Sequence, residues 1–173
     1  MSPLISLDFT DNLPDNLPRP SGLRLSIELV PKTATGINLR SELTPAQWDT
    51  LRHAVYAKAN YCCEACGVCD TEVHCHEVWS YDDEKHIQKL IGLRCLCWEC
   101  HETTHMANHG MRILEHMSTK HLARVNGITV SEADKIILEA YLQHSLRSKH
   151  EWTLDISWLD SYLEKEKAKR RDG

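Results

Sequence analysis

The residues able to do chemistry crowd into one stretch of this 173-residue chain. Cys63-Glu-Ala-Cys66 and Cys97-Trp-Glu-Cys100 are two Cys-x-x-Cys pairs roughly thirty residues apart. Two such turns bring four thiolates together from separate segments, the donor set that tetrahedral zinc prefers. With four protein ligands no coordination position stays open, so Cys63, Cys66, Cys97 and Cys100 predict a structural Zn2+ site. Cys66-Gly-Val-Cys69 competes as a pair and Cys62 as a first ligand, but Gly67 directly after Cys66 suits a tight knuckle turn. Cys62, Cys69, Cys75 and Cys95 are then read as core or surface thiols.

A second donor set is interleaved with the first. His74-Cys-His76-Glu77-Val-Trp79 lies between the cysteine pairs, and His101 and His105 follow the last cysteine. Residues four apart share a helical face, so His101 and His105 can address one ion. A zinc knuckle that pins the strand to the helix start would bring His76 to them. Three imidazoles with open positions suit a catalytic divalent metal: Mg2+, Mn2+, Ni2+ or Zn2+. His53, His116, His121, His144 and His150 are read as solvent-facing or partly buried.

The elements that must position these groups follow from patterning. Leu23, Leu25, Ile27 and Leu29 alternate with polar residues and predict a half-buried strand ended by Pro31. Thr44, Pro45 and Gln47 form a helix start with a capping box, and Trp48, Leu51, Val55 and Ala59 share one face. Val73 to Trp79 predicts a strand, Tyr81 to Glu84 a turn, and Leu93 to Cys97 a second strand, led into by Ile87, Leu90 and Ile91. Cys100 then opens a helix, and Gly110 breaks it. Ile113, Leu114, Met117, Leu122 and Val125 predict an amphipathic helix stopped by Asn126-Gly127. Ser131 with Asp134 restarts a helix whose stripe is Ala133, Ile136, Ile137, Ala140 and Tyr141. Trp152, Leu154, Ile156 and Trp158 alternate as a short strand. The fold class is α+β. Residues 1–22 are an irregular Pro-rich arm, 23–60 a strand and helix, and 61–110 the metal module. Residues 111–163 are a helical continuation of the same domain, and 164–173 a charged tail.

Composition narrows the setting. No apolar run approaches the roughly 20 residues of a membrane span, and no leader pattern opens the chain, so a cytoplasmic protein is expected. Clustered cysteines in a reducing compartment are metal ligands before they are disulfides; export would reverse that order. Net charge is −5, and residues 61–110 hold three Lys/Arg against nine Asp/Glu. Phosphate contacts must therefore come from a metal and from cations outside the module, which weighs against tight DNA binding.

The order Cys-x-x-Cys, His-Glu-Val-Trp, Leu-Cys-x-x-Cys-His-x-x-x-His resembles the HNH nucleases, most strongly over residues 61–106. More loosely, the segments around Leu29-Val-Pro31, Asn38-Leu-Arg40, Val125-Asn-Gly127 and Trp152 to Leu159 resemble a group of small bacterial HNH proteins. The resemblance implies a ββα-metal module stapled by the four-cysteine zinc site, and a metal-dependent endonuclease or nickase acting on DNA. It places His76, His101 and His105 as ligands of the catalytic metal and Glu77 in the position of the general base. His74 is the other candidate base, on the same strand face as His76. The chain departs from the family at Glu77, where a histidine is usual, and at Gly92, where an asparagine precedes Leu93. The alternative is an HNH-derived module that keeps its metals and binds nucleic acid or a protein partner without cutting.

Overall fold

The computed structural model describes residues 22–36, 38–106 and 112–160, with 112–116 described by backbone alone. The arm before residue 22, the break expected at Gly110 and the charged tail lie outside these residues, and the side chains of the expected helix face at 113–116 lie outside the description. The architecture is α+β. A three-stranded sheet in the order β1 (Val73–Asp82), β2 (Ile87–Cys97), β3 (Thr153–Asp155) carries helices on its faces. The helices are α1 (Leu39–Glu42), α2 (Pro45–Lys58), α3 (Trp98–Thr104), α4 (Arg112–Asn126) and α5 (Val130–Arg147). Among the described residues, no helix is long and apolar enough to cross a membrane.

β1 and β2 form an antiparallel hairpin running from Val73↔Cys97 to Asp82↔Ile87. Both strands are longer than the patterning predicts: Tyr81 and Asp82 belong to β1, and Ile87 already belongs to β2. The turn shrinks to the residues between them, where Asp82 Oδ1 accepts from the amides of Glu84 and Lys85. A β-bulge falls where Gly92 faces Val78 but Leu90 faces Trp79, leaving Ile91 as the extra residue on β2. The bulge changes the parity of the strand. Leu90 and Leu93, an odd number apart, therefore both enter the same core with Cys95, Trp79, Trp48 and Leu51.

That core lies between the sheet and α1–α2. The start of α2 is as expected, with Thr44 and Gln47 in a reciprocal capping box and Pro45 in the first turn. β3 runs parallel to β2, pairing Ile87 with Thr153. Leu154 of β3 and, after it, Ile156 and Trp158 pack against the same core. A second core gathers Leu25, Leu96, Leu122, Val125 and Ala133 around the cysteines of the knuckle.

Three expectations are corrected. Residues 23–29 alternate as a strand should, and Leu25 is fully buried, but they join no sheet. Their backbone groups bond elsewhere: Arg24 and Leu25 N–H donate to the Asn126 side chain, and Glu28 N–H donates to Thr104 O. Alternation reports burial of one side, not the presence of a neighbouring strand. Helix α5 is capped by Thr129 with Glu132 rather than by Ser131 with Asp134. Met117 of α4 points outward, 61% exposed, instead of joining the apolar face. The helix does end as expected, with Gly127 left-handed at φ 66°.

Candidate metal centres

The knuckle is built where α2 delivers the chain into Cys63. Gly67 adopts φ 81° and its N–H donates to Cys63 O, while Cys63 N–H donates to Val68 O, closing a tight turn. Cys97 ends β2 and Cys100 lies in the first turn of α3. The sulfurs of Cys63, Cys66, Cys97 and Cys100 all lie within 4.8 Å of one another. Cys66 and Cys97 are 3.7 Å apart. Corners of a tetrahedron with zinc–sulfur bonds of ~2.3 Å are ~3.8 Å apart, so the donor set fits a zinc ion. The competing assignment through Cys62 or Cys69 falls away, because these two are joined to each other in a disulfide. They are thus not the spare thiols expected from sequence, and their bond is one that an oxidising compartment favours.

Electrostatics supports the same assignment. The Cys100 hydrogen bond holds the Cys63 thiol down to about 4. Burial first, then the charge of Cys63, pushes Cys97 up to about 11. Cys100 is pushed up by its bond to Cys63, by burial and by the neighbouring thiols. A thiolate at Cys63 disfavours those of Cys97 and Cys100, which a bound cation would relieve.

His121, expected to be solvent-facing or partly buried, is buried at 6% exposure and its Nε2 lies 3.1 Å from Cys100 Sγ. Arg124 Nη2 sits 2.7 Å from His121 Nδ1, with Glu99 Oε2 3.3 Å away. Guanidinium only donates, so Nδ1 accepts and the imidazole proton is on Nε2, facing the sulfur. Burial holds the His121 pKa below its usual value, which keeps the ring neutral. A helical spacing of two turns before Gly127 gives no hint of this contact; it depends on α4 packing against α3.

The histidine site forms at the edge of the sheet. His76 on β1, His101 on α3 and His105 at the C-terminal cap of α3 present ring nitrogens within 4.8 Å of one another. His76 Nδ1 is 3.0 Å from His105 Nε2. Ligand nitrogens ~2.1 Å from one ion lie roughly 3.0–3.4 Å apart across octahedral or tetrahedral edges, so this set also fits a divalent metal. His76 is 3% exposed; His101 and His105 are half-buried.

The two candidate bases separate. Alternation puts His74 and His76 on the α3 side of β1, and Cys75 and Glu77 on the α1–α2 side. His74 stacks flat against His101, ring centroids 5.2 Å apart, outside the ligand trio. Glu77 shares with His76, His101 and His105 a cavity of about 370 Å3 that also takes in Arg40, Trp48 and Trp79. This sharing is possible because β1 is an edge strand, so one cavity wraps both of its faces. Burial pushes the Glu77 carboxyl up, against the Leu39 amide, His76, Arg40 and Trp79, which favour its charged form. Leu39 N–H, at the start of α1, donates to Glu77 Oε1 over 2.9 Å. Gly92 has no side chain to orient this carboxylate; a backbone amide 38 residues upstream orients it instead. Sequence spacing alone could not reveal that substitution.

On the other side of residues 28–30 a second cavity, about 410 Å3, also reaches His76 and His105 and is lined by Tyr81, Gln143, His144 and Arg147. Arg147 makes a bidentate pair with Asp83 at 2.7 Å and lies over the Tyr81 ring. Arg40 lies over Trp48, 5.2 Å from its ring centroid. Compared with family models, with curated proteins and with solved structures, the chain finds no match.

Proposed function

We propose that this chain is a metal-dependent endonuclease or nickase of the HNH type, hydrolysing phosphodiester bonds of DNA. The observation that carries the reading is the convergence of His76, His101 and His105 beside Glu77 in one cavity at a sheet edge. The order of elements around it, two antiparallel strands followed by a helix with a four-thiol clamp at the junction, is the order the HNH resemblance implies.

His76, His101 and His105 would hold the ion, and the thiol clamp fixes the strand-to-helix junction that sets their spacing. When bound, a divalent ion at these three residues would supply Lewis acidity for phosphodiester hydrolysis. Glu77 takes the proton from the attacking water, the new P–O bond forms as the bond to the 3′ oxygen breaks, and the departing 3′ oxygen takes a proton from solvent. Its raised pKa makes Glu77 a stronger base than an ordinary carboxylate, and the Leu39 amide fixes its direction. Arg40 supplies the cation next to the cavity for a flanking phosphate. His74 supports His101 by stacking rather than by moving a proton.

The test is nicking of supercoiled plasmid with Mg2+, Mn2+, Ni2+ or Zn2+, by wild type and by His101→Ala. Metal-dependent nicking that the variant loses supports the reading. A wild type that binds metal at the histidines yet cuts with none of the four ions contradicts it. The acidic balance of residues 61–110 favours one other reading, a module that keeps both metals and binds nucleic acid or a protein without cutting. In that case plasmid binding or partner capture would persist with no cleavage.

A further inference from the structure

We propose that Glu28 is a positioning residue that fixes His76 as a metal ligand through Nδ1, and that the extended segment before the module is therefore part of the metal site. This rests on the reading of His76, His101 and His105 as ligands of one divalent ion. His76 is pinned on both ring nitrogens: Nδ1 lies 3.0 Å from His105 Nε2, and Nε2 lies 3.0 Å from Glu28 Oε2. A carboxylate accepts and does not donate, and a neutral imidazole carries one proton. The proton is then on Nε2, and the Nδ1 lone pair faces the other two ligands. A carboxylate on the far nitrogen of a ligating histidine fixes its tautomer and ring angle and raises its strength as a donor.

Glu28 is itself held. Ser26 Oγ donates to Glu28 Oε1 over 2.8 Å, and Glu28 N–H donates to Thr104 O over 2.9 Å. Thr104 ends α3, the helix that carries His101 and is capped by His105. The segment thus ties the strand ligand to the helix that bears its two partners. Upstream, Leu25 is fully buried in the core that surrounds the thiol clamp. Arg94 Nη2 donates to Arg24 O, and the Asn126 amide donates to Leu25 O. One short segment therefore spans both metal centres.

The experiment uses the full chain carrying one zinc, titrated with Ni2+ by calorimetry, comparing wild type with Glu28→Gln, Ser26→Ala and His101→Ala. Glu28→Gln should weaken the second ion about 10–100-fold and Ser26→Ala should weaken it less. Zinc content should stay that of wild type. His101→Ala should lose the second ion, which identifies the site being titrated. Nitrogen-15 spectra of the imidazoles give a readout independent of affinity: His76 should carry its proton on Nε2 in wild type. Nickel affinity in Glu28→Gln within twofold of wild type, or a His76 proton on Nδ1, would overturn the proposal and leave the metal site standing. A wild type that takes up no second ion would overturn the metal site itself. Should Glu28→Gln lose its zinc as well, the Ser26→Ala affinity and the wild-type spectrum decide.

Discussion

The two donor clusters of this chain sit side by side on one strand–helix junction, yet they are built in opposite ways. The thiol site takes its ligands from one tight turn and the β2–α3 junction, and three of its four cysteines are buried. The histidine site takes its ligands from a strand edge and one helix and opens on two cavities. A closed set of four soft donors can only hold, whereas three imidazoles with space beside them can bind and react. The difference shows how proximity of ligands alone does not assign a role; access and neighbouring titratable groups do.

The largest effect should come from breaking the closed site. Cys97→Ser should lose the clamp zinc and unfold the strand–helix junction, seen as loss of one zinc per chain and of cooperative melting. His101→Ala should leave both intact. If the two variants behave alike, the contrast between a structural and a reactive site is wrong.

Next in size is the base. Glu77→Gln should lower the nicking rate by about 10²–10⁴ with zinc content and second-ion affinity unchanged. The wild-type rate should rise with pH through a pKa above the ordinary carboxyl value of 4.5 and then level off. A buried acid with a raised pKa contributes less stability as pH rises through that pKa, because the unfolded chain ionises more easily. At neutral pH Glu77→Gln should therefore melt no lower than wild type, a result that separates a catalytic carboxylate from a structural one. A rate unchanged in this variant would move the base to His74.

His121→Ala sharpens the comparison from the thiol side. Loss of the bond to Cys100 should weaken zinc about tenfold, read by competition with a chelator, while nicking at saturating zinc stays near wild type. Arg40→Ala should weaken plasmid binding and reduce the salt slope by about 1, read by binding at several salt concentrations. Smallest is Asp83→Asn. Arg147 holds the Asp83 carboxyl below its ordinary 3.8, so the pair adds stability above that value and loses it as pH falls through the lowered pKa. Asp83 is 58% exposed, so the loss at pH 7 should be under about 1 kcal/mol, measured by urea unfolding.

Local signals were legible in the sequence wherever one short segment sets the outcome. The knuckle pairs, the Thr44–Gln47 cap, the Gly127 stop and the His101/His105 face all depend on spacings of a few residues. What escaped depends on contacts between distant segments. Glu28 reaches His76 across 48 residues, and Leu39 reaches Glu77 across 38. His121 reaches Cys100 only because α4 packs on α3. The extended run 23–29 looked like a strand because burial of alternate residues is common to strands and to straps that lie on a core. The Cys62–Cys69 bond escaped because pairing among eight clustered cysteines is fixed by the fold, not by their spacing.

The role of the histidine site is tested most directly by plasmid nicking with protein that carries zinc only at its four thiols, before and after a second divalent ion is added. There should be no cutting with one zinc per chain, cutting once the second ion binds, and none in His101→Ala at any ion concentration. Cutting that needs no second ion, or that survives in His101→Ala, would contradict that role.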